Sequence, residues 1–181
     1  MNVTTETKGI LKSTAVNVLC PEFDDRFQKW LAAVLGFNPE NVVPNYKELA
    51  TSYSTDGTNY AFFEFNSVTF EGTPCTEAED DETETQRYDA TTKCRITLVG
   101  EQSRERALFL HDVIFYSQNV YELEEIGLGP SDAEIIQIGT IQEGTRRTTT
   151  ATVDITFAYI YKRIWEVKRI KEAPVEIISN P

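Results

Sequence analysis

The chain has 181 residues, enough for one domain with a hydrophobic core, and its 40% apolar and 11% aromatic content is typical of a folded protein. Its formal net charge of −12 argues against a surface that grips nucleic-acid phosphates. The three cysteines, Cys20, Cys75 and Cys94, are too irregularly spaced for a disulfide framework or a zinc site and favour reduced thiols.

The N-terminus lacks the basic start and apolar run of a secretion signal, and no apolar stretch reaches the roughly 20 residues that span a bilayer. The sequence therefore predicts a soluble protein of a cytoplasm. Residues 1–20 are polar and rich in Thr, and we expect an N-terminal arm that is partly extended.

A helix is predicted from Pro21, which suits a first helical turn, to Gly36, which suits a helix end. Apolar side chains recur in it at helical spacing, and we expect them to pack in the core rather than hold a ligand. They are Phe23, Phe27, Trp30, Leu31, Val34 and Leu35. Residues 37–58 carry turn signals and are expected to be irregular.

Residues 59–70 predict a strand with aromatic side chains on both faces, and residues 88–99 predict a half-buried partner strand. The segment 71–86 between them is acidic. Its carboxylates crowd into eight residues and are Glu77, Glu79, Asp80, Asp81, Glu82 and Glu84. The pattern favours a solvated hairpin loop, with a rim facing DNA or a basic partner as the second interpretation. The spacing of a calcium loop is absent.

Residues 101–117 predict a second amphipathic helix, whose core-facing set is Ala107, Leu108, Leu110, His111, Ile114 and Phe115. His111 is the only histidine, and no partner residues mark it as a catalytic base. Residues 119–123 predict a short third helix capped by Asn119. Residues 134–141 form a strand that turns at Gly144 directly into the last strand, as an antiparallel hairpin.

The last strand, residues 148–169, would be roughly 60 Å or more long if straight, which exceeds the width of a compact chain of this length. Its first half has one apolar face and one polar face, whereas both faces carry large apolar groups after residue 158. We interpret residues 148–158 as part of the subunit's own sheet and the rest as a subunit contact that can add to a neighbour's sheet edge. The candidate interface residues are Tyr159, Tyr161, Arg163, Trp165 and Val167. The alternative is that they cover the core of their own domain.

The element order predicts an α+β fold, with an antiparallel sheet of about four strands and two main helices packed on one face. We expect a single domain over residues 21–170 and a C-terminal tail over residues 171–181. The sequence contains no nucleophile elbow, phosphate loop or metal-binding motif. We therefore predict no catalytic, cofactor-binding or metal residues, no cofactor and no enzymatic activity.

Four patterned segments, spread over about residues 23–178, resemble the neck or tail-terminator proteins of long-tailed bacteriophages. They read F-x-x-W-L-x-x-V-L-G-F-x-x-x-x-V-V-P, I-x-L-x-G, Q-N-x-x-x-L-x-x-x-G-L and D-I-T-F-x-Y-I-Y-K-R-x-W-x-V. The family's usual Trp and Pro-rich loop before the first strand is replaced here by residues 46–60, and the acidic insertion is longer. These two departures concern the contacts of that loop more than the fold.

The resemblance implies a tail-terminator-like fold with extended arms and a ring, typically a hexamer, at the head–tail neck of the virion. Such a ring caps the tail tube and joins it to the head-side connector or stopper, and the sheath protein is a further possible partner. The resemblance also implies that DNA passes through the lumen without sequence-specific binding, that no membrane is involved, and that assembly takes place in the host cytoplasm.

Two other interpretations stay open at this point. The chain could be another component of the head–tail connector or stopper. It could also be an acidic DNA mimic that inhibits a nucleic-acid enzyme, although a mimic should spread its carboxylates along one elongated face, and here they concentrate in one stretch.

Overall fold

The computed structural model describes residues 13–17, 21–45, 59–78, 83–143 and 146–166. Within these residues the protein is α+β, as the sequence predicts. The elements in chain order are β1 (Ser13–Asn17), α1 (Pro21–Leu35), a 3-10 helix (Pro39–Asn41), β2 (Val42–Pro44), β3 (Tyr60–Ala78), β4 (Thr83–Val99), α2 (Ser103–Val113), α3 (Ser117–Glu124), β5 (Gly129–Glu143) and β6 (Arg146–Glu166). No helix in these ranges is long and apolar enough to cross a membrane.

The described strands form one six-stranded sheet with the order β1–β6–β4–β3–β2, and β5 also pairs with β6. The β5–β6 hairpin is antiparallel, from Gly129 opposite Ala158 to Glu143 opposite Arg146, which confirms the predicted connection. In contrast, β2 runs parallel to β3, so the sheet is mixed.

The prediction of an antiparallel sheet of about four strands is therefore correct only in part, because the described residues form six strands and β2 runs parallel to β3. The two additional strands are β1, with five residues, and β2, with three. Both lie in stretches rich in polar residues or turn signals, and neither is long enough for an alternating pattern to be recognised in the sequence.

The core of the helical layer is centred on α1. Its Phe27 ring is fully buried and lies 5.1 Å from the Phe63 ring, 5.1 Å from Phe65 and 5.9 Å from Phe157, measured between centroids. The other buried members of the predicted stripe are Trp30, Leu31 and Leu35. The stripe therefore packs on β3 and β6, as its spacing predicts.

Strands β4 and β6 alternate between buried and more accessible side chains. The buried row of β6 is Ala151, Val153, Ile155 and Phe157, and that of β4 includes Ala90, Cys94, Ile96 and Leu98. Threonines and charged residues occupy most of the opposite rows. This confirms the predicted one-sided character of both strands in this region.

Helix α3 begins two residues earlier than the sequence predicts. Tyr116 occupies the N-cap position without a side-chain hydrogen bond. The expected cap, Asn119, lies inside the helix, where its Nδ2 donates to the Val113 carbonyl oxygen at 2.8 Å. Asn119 thus ties α3 to the end of α2 instead of capping its own helix.

The acidic stretch is a pair of strands over most of its length, rather than the predicted loop. Strand β3 continues to Ala78, and β4 begins at Thr83. The Glu77 carboxylate lies 3.1 Å from Arg87 Nη2, so an ion pair links the two strands. The prediction weighed charge alone, whereas the many threonines in this stretch favour strands. Residues 79–82 lie outside the described part of the chain.

The chain divides into two compact units. The larger unit comprises Val18–Gly72 and Asp89–Ile160, and includes the three α-helices and β5. The smaller unit comprises Met1–Asn17, Thr73–Tyr88 and Tyr161–Pro181, and includes β1 and the end of β6. The division therefore falls within the last strand, between Ile160 and Tyr161.

Candidate subunit interface

The end of β6 carries three of the predicted interface residues in one row, because every second residue of a strand points to the same face. We call Tyr161, Arg163 and Trp165 the β6 ladder. The guanidinium carbon of Arg163 lies 5.5 Å from the centroid of the Tyr161 ring and 5.4 Å from that of the Trp165 ring. Arg163 Nη2 also donates to the Tyr161 hydroxyl at 2.9 Å. Cation–π attraction and this hydrogen bond hold the cation beside both rings.

Gln86 on β4 fixes the ladder from the neighbouring strand. Trp165 Nε1 donates to Gln86 Oε1 at 2.9 Å, and the Tyr88 hydroxyl donates to the same oxygen at 3.1 Å. The Tyr88 and Tyr161 rings meet edge to face, with centroids 5.9 Å apart. The ladder is therefore pre-organised by its own chain. Gln86 could not be recognised in the sequence, because nothing local shows that it faces Trp165.

The ladder is nevertheless incomplete in its polar contacts. Its three residues are each half-buried, and Arg163 Nε is a buried donor without a hydrogen-bond partner among the described residues. Leaving a buried donor unpaired costs about 1–3 kcal/mol.

Strand β1 corrects the expectation that this part of β6 adds to a neighbour's sheet. It pairs with β6 in antiparallel register, with Ser13 opposite Trp165 and Asn17 opposite Lys162. The backbone groups on that edge of β6 are therefore used within the same chain. Side chains, rather than backbone pairing at this edge, remain available for a subunit contact.

The other two predicted interface residues are not part of the ladder. Tyr159 belongs to the larger unit and is buried there, beside a groove of about 390 Å³ that Leu128 and Ala158 also line. Little of its surface is left for another subunit. Val167 lies outside the described residues.

The acidic candidates are only partly described. Glu77 is paired with Arg87, as noted above, and Glu84 on β4 is half-buried. Glu79, Asp80, Asp81 and Glu82 lie outside the described residues. A role for these carboxylates toward a lumen or a partner stays a prediction.

A buried ion pair in the larger unit was not predicted. Only 3% of the Asp154 side chain is exposed, and its two oxygens accept from Arg95 Nε at 2.8 Å and Nη2 at 2.9 Å. Lys93 Nζ lies 3.8 Å from the same carboxylate. The Arg95 hydrogen bonds, against an opposing effect of burial, hold the pKa of Asp154 below its ordinary value. The pair joins neighbouring strands β4 and β6, a typical structural role.

Chemistry-bearing side chains are scattered in the described residues. These residues contain no group of three or more His, Cys, Asp or Glu that could hold a metal ion. His111 Nδ1 lies 3.1 Å from the carboxylate of Asp112, its neighbour on the exposed side of α2. Cys94 is fully buried, and burial raises the pKa of its thiol well above the ordinary value, which disfavours the reactive thiolate.

A second exposed surface, which the sequence did not reveal, lies on α2 and the turn after it. We call it the α2 face, and it consists of Leu108, Phe109, Asp112, Phe115 and Tyr116. Leu108 and Phe115 were predicted to face the core and do not. The predicted Ala107, Leu110 and Ile114 are buried, and helix α2 also buries Ser103 and Val113. Because 107–110 are all apolar, the spacing alone could not distinguish the buried side from the exposed side.

A groove of about 610 Å³ lies between α1 and α3 in the same unit. Arg26 and Lys29 line its α1 wall, and Glu122 and Glu125 line its α3 wall. At its base, Trp30 Nε1 is buried without a hydrogen-bond partner among the described residues. The opposite charges of the two walls indicate no single class of ligand.

A pre-organised aromatic and arginine surface, without a recognisable catalytic or metal cluster in the described residues, is typical of a structural protein that assembles with others. The sequence model of the phage neck terminator protein family matches residues 22–181, so the chain belongs to this family. It is therefore a structural protein of the phage neck and hence of the virion. No curated protein sequence matches the chain.

Proposed function

We propose that copies of this chain form a ring, most simply a hexamer, that ends the tail tube and joins it to the head-side connector or stopper. The β6 ladder is the observation that carries this proposal. Its rings and guanidinium are fixed by Gln86 and Tyr88, so little side-chain entropy is lost when a second molecule covers them. Aromatic residues and Arg are also the side chains enriched at the centres of interfaces.

The proposal includes a tail-terminator-like arrangement, with the helices on one face of the sheet and extended arms at the chain ends. The tail tube protein would meet one side of the ring and the connector or stopper the other, with the sheath protein as a further partner. Assembly would take place in the host cytoplasm, and the ring would enter the virion neck.

DNA passage through the ring fits the charge of the chain. With a net charge of −12, a wall made of these subunits does not attract phosphates, so a duplex can slide past it. Neutralisation of Glu77 by Arg87 argues against the alternative of a DNA mimic, which needs unpaired carboxylates. We therefore propose a conduit that does not bind DNA.

Electron microscopy of isolated tail tubes that lack this protein provides the test. Added wild-type protein should appear as a ring at one end of each tube, and it should stop further tube growth. A variant with Trp165→Ala and Tyr161→Ala should leave the ends bare. The proposal would be wrong if the wild-type protein formed a tight dimer, with no ring in solution and none on tube ends.

A further inference from the structure

The two exposed aromatic surfaces of the chain carry opposite charge. Residues 101–125, which include the α2 face, contain six carboxylates and two arginines. The β6 ladder contains Arg163, and Lys162 precedes it in the strand. In a chain of net charge −12, two adjacent cations are unusual, and like surfaces of two copies would repel each other.

The α2 face is compact and accessible. Leu108 and Phe109 are spaced four and three residues from Asp112, which places the carboxylate beside both apolar side chains on the helix surface. Phe115 and Tyr116 follow in the turn after the helix, which ends at Val113. The Asp112 side chain is 71% exposed. A carboxylate surrounded by exposed aromatic and aliphatic groups is a suitable acceptor for a half-buried cation.

The β6 ladder supplies such a cation. Arg163 Nη2 donates to the Tyr161 hydroxyl of its own chain, and Nε is buried without a partner in the described residues, so a carboxylate from another copy would meet the guanidinium at its outer edge, Nη1 and Nη2. A guanidinium can donate two parallel hydrogen bonds to one carboxylate, and these bonds strengthen when water is excluded. The flanking rings of Tyr161 and Trp165 could exclude that water by packing on an aromatic surface.

We infer that the β6 ladder of one copy docks on the α2 face of a second copy, with Asp112 accepting hydrogen bonds from Arg163. This inference rests on the proposed function, because it assigns both sides of the contact that would close the ring. The two surfaces differ, so the contact is head-to-tail: each copy offers a ladder to one neighbour and an α2 face to the other. Contacts of this kind produce rings or filaments, whereas a contact between identical surfaces ends at a dimer.

Two single-sided variants test the inference. The acceptor variant carries Phe109→Ser with Asp112→Arg, and its matched control carries Ile138→Ser with Asp132→Arg. Phe109 and Ile138 are each 45% exposed, and both aspartates are exposed, so the two pairs of changes are alike in burial and charge. The acceptor variant should weaken self-association at least about tenfold, as loss of an interface centre does, and the control should not.

The donor variant carries Arg163→Leu, which keeps the apolar stem of the side chain beside the two rings. A second donor variant, Lys162→Glu, leaves the three ladder residues intact and reverses the charge next to Arg163 in the strand. Thermal melting shows whether each variant folds. Each donor variant alone should fail to form rings in sedimentation velocity experiments.

Mixing then distinguishes a head-to-tail contact from any other arrangement. An acceptor variant retains a ladder and a donor variant retains an α2 face, so one productive contact remains in the mixture. We expect a one-to-one heterodimer that does not grow further. Rings formed by either variant alone, or monomers in the mixture, would overturn the inference.

The wild-type protein, run beside the variants, separates this inference from the proposed function. Wild-type rings together with normal rings of the acceptor variant would reject the inference and leave the proposed function standing. Wild-type rings that depend on both surfaces but never bind tube ends would support the contact between the ladder and the α2 face and would reject the role at the tail tube. A wild-type protein that stays monomeric at every concentration and on tube ends would reject both.

Discussion

Asp154→Asn is the most informative single change for stability, because it removes one charge and almost no volume from the buried ion pair. The carboxylate accepts two hydrogen bonds from Arg95, at 2.8 and 2.9 Å, and 3% of its side chain is exposed. The amide retains one acceptor oxygen and places an N–H₂ group against the guanidinium. One charge-assisted hydrogen bond is lost and one unfavourable contact is made.

The expected loss is about 2 kcal/mol in the free energy of unfolding at pH 7. Hydrogen bonds to charged groups contribute about 1.5–3 kcal/mol, and breaking a fully buried pair costs about 3–5 kcal/mol. The expected loss lies toward the lower end of these energies because 47% of the Arg95 side chain is exposed, and water screens the pair from that side.

The stability difference between wild type and Asp154→Asn should decrease at low pH. The pKa of Asp154 is lower in the folded protein than in the unfolded chain, where it is about 3.9. The pair therefore stabilises the fold fully above that unfolded value, and its contribution is lost as the pH falls through the folded-state pKa. The difference between wild type and Asp154→Asn should be constant from pH 7 to about pH 5 and should shrink below about pH 4.

Urea unfolding followed by tryptophan fluorescence measures this difference. Trp30 lies in the same unit as Asp154, and a Trp165→Phe background removes the signal of the smaller unit. The control is Glu77→Gln, measured with Trp165 in place because Glu77 and Trp165 lie in the same unit. It breaks an ion pair whose two side chains are 48% and 43% exposed, and should cost less than about 1 kcal/mol. An equal loss from both substitutions, or a loss from Asp154→Asn that does not shrink as the pH falls below about 4, would show that the ion pair is not the source of the stability.

Three further predictions follow from the packing and the ladder. Phe27→Ala should lower the free energy of unfolding by about 3–5 kcal/mol in urea denaturation, because a fully buried ring is removed. Gly100→Ala should lower the melting temperature measured by circular dichroism, because Gly100 has a φ of +129° and a Cβ there would meet the Asn59 side chain; an unchanged melting temperature would contradict this. Tyr161→Ala with Trp165→Ala should leave the unfolding transition reported by Trp30 unchanged and should abolish rings on electron microscopy grids. Loss of that transition would mean that both residues stabilise the core of their own domain.

Much of the larger unit could be predicted from the sequence because its patterns are local. The α1 stripe repeats at helical spacing, and Phe27 and Leu31 are buried as expected. The alternation in β4 and in the first half of β6 likewise identified their buried rows. The β5–β6 hairpin followed from two apolar runs that are separated by a short turn.

The features that were missed depend on contacts between residues distant in the chain. Strand β2 forms by pairing in parallel with β3, with Val42 opposite Ala61. The sequence of three residues does not show this pairing. The ion pair of Arg95 and Asp154 joins residues 59 positions apart. Charge dominated the interpretation of the acidic stretch, although strand pairing across Glu77 and Arg87 decides its conformation.

The subunit interface stays a prediction, and the sequence pattern located the β6 ladder only in part. The change in pattern after residue 158 drew attention to Tyr161, Arg163 and Trp165, and the structure brings these three together. Tyr159 also follows the pattern but is buried, because a row of side chains on one strand can pass from a core to an exposed surface without a change in residue type. The α2 face was missed because apolar residues lie on both the buried and the exposed side of α2.

The mass of the wild-type assembly is the most direct test of a ring at the neck. Native mass spectrometry over a range of protein concentrations, with and without tail tubes, would measure it. We expect one closed species at a whole multiple of the subunit mass, most simply six, which is retained when tubes are added and is located at their ends. A monomer or dimer at every concentration, absent from tube ends, would contradict it.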